Sequence, residues 1–270
     1  MAKIIDSIGN IRFLDELSSK NTTIHRLNPV VKLIVTLMYS ILIVSFDKYD
    51  IIRLIPYIFY PIIIFNLADI PFIPILKRVL FVFPIVIGIG IFNPILDKEI
   101  YVILLGMSVL SGWVSFISLL IKCLLTVLAA LLLISTTKIE SIAYALRKLL
   151  VPKIFIMQLL FTYRYIYVLI EEVSRVLRAY HLRSAMKKRV SFKNAGSLLG
   201  QILLRSFDKA TRIYNAMRLR GFEGEYIFEE KKSMNIASIS YLLLWTVFFG
   251  FAKIIDIPEL FGSILMGVIS

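Results

Sequence analysis

Cysteine occurs once in this chain, at Cys123, and histidine twice, at His25 and His181. One cysteine excludes an internal disulfide and any thiolate-based metal cluster. Cys123 lies in an apolar run, where a packed thiol is the expected state. The histidines are far apart in sequence, and neither has a carboxylate or thiolate at ligand spacing, so no metal site is expected on this chain. No Gly-x-x-x-x-Gly-Lys-Ser/Thr is present, which excludes ATP hydrolysis by a P-loop. Gly88-x-Gly90 is too short for a nucleotide loop and reads as helix packing. Glu171-Glu172 and Glu229-Glu230 are adjacent acids. Neighbouring residues diverge on a helix, so a solvated face is expected there rather than an acid/base dyad. Met1 to Lys20 lacks the charged-then-apolar pattern of a signal peptide, which leaves the first apolar run to direct insertion.

Apolar residues are abundant instead. They make up 59% of the chain, and mean hydropathy is +0.83. A soluble fold of this size cannot bury that much apolar surface, so the class is an integral membrane protein. The formal net charge is +13. In a soluble protein such a balance would point to nucleic acid. Here the collection of Lys and Arg in cytoplasmic segments explains it, and no nucleic-acid partner is expected.

Asn28-Pro29 opens the first apolar run as an N-cap followed by a first-turn proline. Val30–Phe46 is a span, with Lys32 snorkelling near its start. Ile51–Leu67 is a second span, with Pro56 and Pro61 predicting a kink. Ala68–Arg78 reads as a cytoplasmic link, and Val79–Phe92 as a third span. Ile100–Leu110 is too short to cross and reads as a re-entrant or hairpin piece. Trp113–Thr136 is the fourth span. Lys122 inside it is either a functional intramembrane cation or a snorkelling residue of a span shifted toward 123–136. Glu140–Leu150 is an amphipathic helix stopped by Val151-Pro152. Residues 154–170, with Tyr163, Tyr165 and Tyr167, are expected to run along the interface or slant out of it, with a true span as the alternative. Ile236–Ile255 is the last span. The expected fold is all-α, with about five transmembrane helices and long amphipathic cytoplasmic helices. Residues 1–138 form the N-terminal membrane part, 139–235 a cytoplasmic or interfacial module, and 236–270 the C-terminal membrane part.

Residues Arg175 to Arg220 hold twelve Lys/Arg against one acid, Asp208. In the helix expected over 195–220, Leu199, Leu203, Phe207, Ala210, Tyr214 and Met217 make one apolar face. Arg205, Lys209 and Arg212 make a basic stripe, and Asp208 pairs with Arg212 at i,i+4. The helix ends at Leu219-Arg220-Gly221, with Gly221 at the left-handed position after the cap. The preceding helix carries Glu171 four residues before Arg175 and ends at Leu182-Arg183-Ser184. Two arginines on two helix tips, each followed by a small residue, suit acidic pockets on another protein. The competing reading is a basic surface drawn to anionic lipid.

Residues Arg205 to Phe222, read as RSFDKATRIYNAMRLRGF, resemble the second signature of the T component of energy-coupling-factor (ECF) transporters, closest to its cobalt/nickel branch. Ala179 to Ser184 resembles the first signature, which usually ends Ala-Arg-Gly. Similarity extends to His25–Leu33 and Thr162–Tyr165. The resemblance implies a non-catalytic subunit in the cell membrane of a prokaryote, with its N-terminus and basic module in the cytoplasm. It implies docking of two ABC-type ATPase subunits on Ala179, Leu182, Arg183, Ser184, Leu219, Arg220 and Gly221, with Arg205, Lys209 and Arg212 in support. It also implies a small membrane S component that captures the substrate. ATP would be bound by the partners, and no cofactor by this chain. Vitamin uptake is the alternative within the family. A stand-alone secondary carrier would need broken helices around a midplane site, and a membrane enzyme would need clustered acids or histidines at the interface.

Overall fold

The computed structural model describes residues 13–97, 100–104, 107–183, 192–224 and 234–254. Ser184, Glu229-Glu230 and the apolar stretch 256–270 lie outside the described residues. The chain is an all-α integral membrane protein. Its helices are α1 (Pro29–Ser45), α2 (Phe59–Leu67), α3 (Phe72–Gly90), α4 (Phe92–Leu96), α5 (Ser111–Thr136), α6 (Ile139–Lys148), α7 (Lys153–Arg183), α8 (Phe192–Leu219) and α9 (Ile236–Ile254). A small antiparallel hairpin, β1 (Ile100–Leu104) and β2 (Met107–Leu110), precedes α5. This resolves the apolar piece after α4 as a hairpin. The chain divides into two compact units, one built on Leu14–Ile142 with α9 and the other on Ala143–Lys231.

In the first unit α5 is the central helix, with α1, α3 and α4 packed on it and α9 packed on α1. α1 begins as its sequence predicts: the Asn28 side chain accepts from Val30 N at 2.9 Å, and Pro29 fills the first turn. The proline-rich second run is a 3₁₀ segment, Ile52–Ile58, containing Pro56, which passes into α2. The tighter winding takes the place of the predicted kink. The expected cytoplasmic link is shorter than the sequence reading had it. α3 already starts at Phe72, so Pro74, Lys77 and Arg78 belong to the helix. Proline is tolerated in a first turn, where its missing N–H has no intrahelical acceptor. Gly90 lets α3 approach α5, because a β-carbon there would sit 2.8 Å from the Phe116 ring. Gly88 faces open space, so only one of the two glycines serves packing. Leu80, Phe81, Ile85 and Ile89 of α3 point outward, an arrangement suited to lipid rather than water.

Two lysines fix the order of this bundle. Lys32, buried in the first turn of α1, donates to the main-chain carbonyl of Thr136 at 2.7 Å, at the C-terminal end of α5. Lys122, midway along α5, donates to the carbonyls of Phe46 at 2.6 Å and Asp47 at 3.1 Å, just past the C-terminal end of α1. Each cation meets the negative end of the other helix. The two donors and the two acceptors are both offset by about 21 Å of helix, so α1 and α5 run antiparallel in register. α5 is not shifted toward 123–136. Lys122 lies well inside it and is held by the end of α1.

α9 runs parallel to α1. Asn28 N donates to Ser238 Oγ at 3.1 Å at one end, and Lys253 Nζ to Ser45 Oγ at 3.4 Å at the other. Between them Tyr39, Tyr57, Tyr60, Trp245 and Phe249 form a buried aromatic cluster. Its polar tips are satisfied: Tyr39 OH donates to Tyr57 O at 3.0 Å, and Tyr57 OH to Phe249 O at 3.2 Å. At the far end of the bundle Asp97 accepts from Ser111 Oγ, Tyr49 OH and Lys48 Nζ. The Ser111 hydroxyl first, then Tyr49 and Lys48, hold its carboxyl below the ordinary value.

Before α1, His25 donates from Nε2 to the Leu17 carbonyl at 2.9 Å, and its Nδ1 lies 2.8 Å from Thr22 Oγ1, from which it accepts when uncharged. Burial chiefly, with Lys32 and Lys20 adding repulsion, lowers its pKa below 6.5. The unfolded chain therefore takes up the proton at higher pH than the folded one. The stabilisation is complete above about pH 6.5 and is lost as pH falls below it. The apparent melting temperature in detergent should drop between pH 6.5 and 5.5 in the wild type and more shallowly in His25→Gln. Equal slopes would remove His25 as the source. Lys122→Met should cost about 1–2 kcal/mol, with partial recovery in Lys122→Arg. An unchanged melting temperature for Lys122→Met would show that the clasp on α1 does not stabilise.

Candidate functional site

The second unit carries the basic stretch. α6 ends with Leu150 at φ 65°, its N–H donating to Arg147 O and that of Val151 to Leu146 O. This left-handed stop, with Pro152 after it, releases the chain into α7. Ala143, Ile156 and Leu160 make the small buried core at that corner, with Leu146, Val151 and Leu159 around it.

α7 is one continuous helix, so the aromatic stretch 154–170 and the charged stretch after it are a single rod. α8 returns antiparallel along it, and three contacts mark the pairing. Asn194 Nδ2 donates to Tyr180 OH at 3.2 Å, Arg205 Nη1 to Glu172 Oε1 at 3.3 Å, and the rings of Phe222 and Phe161 lie 6.1 Å apart. Glu172 was expected on a solvated face. It is 8% exposed and joins the two helices, also meeting Arg175 at 3.6 Å. Its neighbour Glu171 stays exposed and pairs with Arg175 at 3.1 Å, as its spacing predicts. Sequence reasoning missed Glu172 because a bridging carboxylate and a solvated one look alike until the partner helix is placed.

The face of α8 turned toward α7 also differs from expectation. The half-buried residues are Ala195, Leu198, Ile202, Ser206, Lys209, Ile213 and Met217. Leu199, Leu203, Phe207 and Tyr214 are more than half exposed, and Ala210 is exposed with them. The apolar stripe exists, but apart from Met217 it does not contact α7. Arg212 donates Nε to the main-chain oxygen of Asp208 at 3.3 Å rather than pairing with its carboxylate.

α7 has the length and composition to cross a membrane, as do Phe72–Leu96, α5 and α9. Topology argues against a crossing. α5 ends, and α9 begins, at the end of the bundle where α1 starts. The chain between α5 and α9 must therefore cross an even number of times. A crossing α7 would need α8 to cross back with Arg205, Asp208, Arg212 and Arg218 all exposed, which hydrocarbon does not tolerate. A crossing by α7 and α8 as a pair is therefore disfavoured, whereas α1, the Ile52–Leu67 run, Phe72–Leu96, α5 and α9 are apolar in composition.

The two arginine tips fall at opposite ends of this hairpin. Ala179, Leu182 and Arg183 are exposed at the end of α7, with Leu182 80% accessible. Leu219 and Arg220 are exposed at the end of α8, with Leu219 90% accessible. Gly221 takes φ 80° and donates to Arg218 O at 3.0 Å, while Phe222 N donates to Met217 O at 3.1 Å. This Schellman turn holds Arg220 on the last turn of the helix and aims Phe222 back at Phe161.

Residues 20–234 match the family described as CbiQ, cobalt transport protein. An uncharacterized protein of Methanocaldococcus jannaschii is 28% identical over 79% of this chain and 75% of its own length. A nickel permease, LarQ of Lactiplantibacillus plantarum, is 29% identical over 34% of each chain. The pairing through Glu172 gives a test of the hairpin. A double-mutant cycle between Glu172→Gln and Arg205→Ala, read by thermal unfolding, should give a coupling of about 1 kcal/mol. Additive effects would show that the two helices are held by apolar contact alone.

Proposed function

The chain belongs to the CbiQ cobalt transport protein family, and we propose that it is the transmembrane coupling subunit of an ECF-type importer for cobalt or nickel. It docks two ATPase subunits on its basic hairpin and passes their movement to a small membrane S component. The reading rests most directly on the placement of the two arginine tips. α7 runs about 33 Å from Phe161, which meets Phe222 beside Arg220, to Arg183. Two like tips so far apart cannot enter one pocket, but they suit one pocket on each of two similar subunits. A guanidinium on an exposed helix end offers paired N–H donors to a carboxylate. The exposed leucine before each arginine adds an apolar contact beside it.

The nickel named for the Lactiplantibacillus relative and the cobalt named for the family support a transition-metal cargo. The ion would be captured by the S component. In this reading the bundle lies in the cell membrane with the start of α1 in the cytoplasm and the hairpin on the ATP side. Nucleotide chemistry belongs to the partners. Ser184 and Gly221 provide the small residue after each arginine that lets a partner approach closely.

Co-expression with the ATPase subunits and affinity purification tests this. The wild type should retain them. Arg183→Ala and Arg220→Ala should each weaken retention at least tenfold, the loss of one charge-assisted contact of about 1.5–3 kcal/mol, and the double variant should abolish it. Full retention by a folded double variant would remove the tips from the mechanism. No retention by the wild type would favour an independent carrier.

A further inference from the structure

The α7–α8 hairpin contains an open cleft of about 580 Å³ whose charged lining is Glu172, Arg175, Arg205, Asp208, Lys209 and Arg212. Four cations face two carboxylates. Glu172 is already shared by Arg175 and Arg205. Among the described residues no carboxylate lies within ion-pair distance of Lys209 or Arg212. Cations gathered in one concavity repel one another, and a bound anion relieves that repulsion. Glu171, just outside the lining, also pairs with Arg175, so the net local surplus is one positive charge, and it is Lys209 and Arg212, which meet no carboxylate, that await an anion. Glu172, itself largely buried, fixes the guanidiniums of Arg175 and Arg205 before any ligand arrives. Their remaining N–H donors suit a tetrahedral oxyanion, to which Lys209 adds a mobile point charge.

We propose that this cleft binds a soluble phosphate-class anion, either inorganic phosphate or the phosphomonoester of a small molecule. A lipid headgroup offers similar chemistry, but the hairpin geometry disfavours it. Leu199, Leu203, Phe207 and Tyr214 make the apolar flank of α8, and Arg205, Lys209 and Arg212 lie roughly 160° around the helix from them. On an interfacial helix the apolar flank faces the acyl layer, so the cleft opens toward water. The principal docking residues are the tips at the hairpin ends, and the cleft lies between them, on the stripe expected only to support docking.

The test is calorimetric titration of the purified full-length chain in neutral detergent with inorganic phosphate, ionic strength being held constant with sodium chloride. Saturable binding with one phosphate per chain is expected. Lys209→Gln/Arg212→Gln should weaken it at least tenfold. Asp208→Asn removes one of the two acids and should tighten it several-fold, a gain that misfolding cannot imitate. Arg183→Ala/Arg220→Ala should leave it unchanged. Absence of saturable binding in the millimolar range, or equal affinity in the Lys209/Arg212 variant, would overturn the site. So would loss of binding in the tip variant. After reconstitution, phosphate affinity should be the same in phosphatidylcholine vesicles with and without phosphatidylglycerol. Competition by phosphatidylglycerol would overturn the soluble ligand in favour of a lipid headgroup.

Discussion

A cation inside a membrane bundle must meet a partner, and here the partners are helix ends. Lys32 and Lys122 each reach the C-terminal carbonyls of the opposite helix, so one arrangement satisfies two charges and two sets of orphan acceptors. Sliding α1 against α5 by a turn would strand both lysines. The clasp therefore specifies register as well as adding stability. The neighbouring aromatic cluster then seats α9 against α1 with its hydroxyls already satisfied.

That register has a consequence far from the lysines. It brings the end of α5 to the end of the bundle where α9 starts, and so keeps the intervening chain from crossing once. A single crossing by a long apolar helix such as α7 is thereby disfavoured. Composition alone favours the opposite assignment, because hydropathy scores a helix without knowing what packs beside it. The charged face of α8 decides the matter.

The parts legible in the sequence are those set by local chemistry. Asn28-Pro29 announces a helix start and Gly221 a helix stop, because cap geometry depends on the residues at the cap. Glu171 and Arg175 pair at their spacing for the same reason. The illegible parts depend on a second element. Lys122 could be read as snorkelling or functional, since nothing nearby in sequence shows that α1 ends at its depth. Glu172 looked solvated for want of Arg205, thirty-three residues on. The apolar face of α8 was found correctly as a stripe, but periodicity cannot say whether a stripe meets another helix or something outside the chain. The start of α3 lies earlier than its composition suggests because Pro74, Lys77 and Arg78 together resemble a loop, whereas Pro74 falls in the first turn, where proline is acceptable, and the two cations follow in the second.

An odd number of crossings separates the two ends of the bundle. The chain enters α1 at one end of the bundle and leaves α9 at the other. For gene architecture this is asymmetric. A soluble domain joined ahead of α1 and one joined directly behind α9 would lie at opposite ends of the bundle, in different compartments. A pair of reporters, one joined at each of these two positions, would therefore give opposite readings in the same membrane.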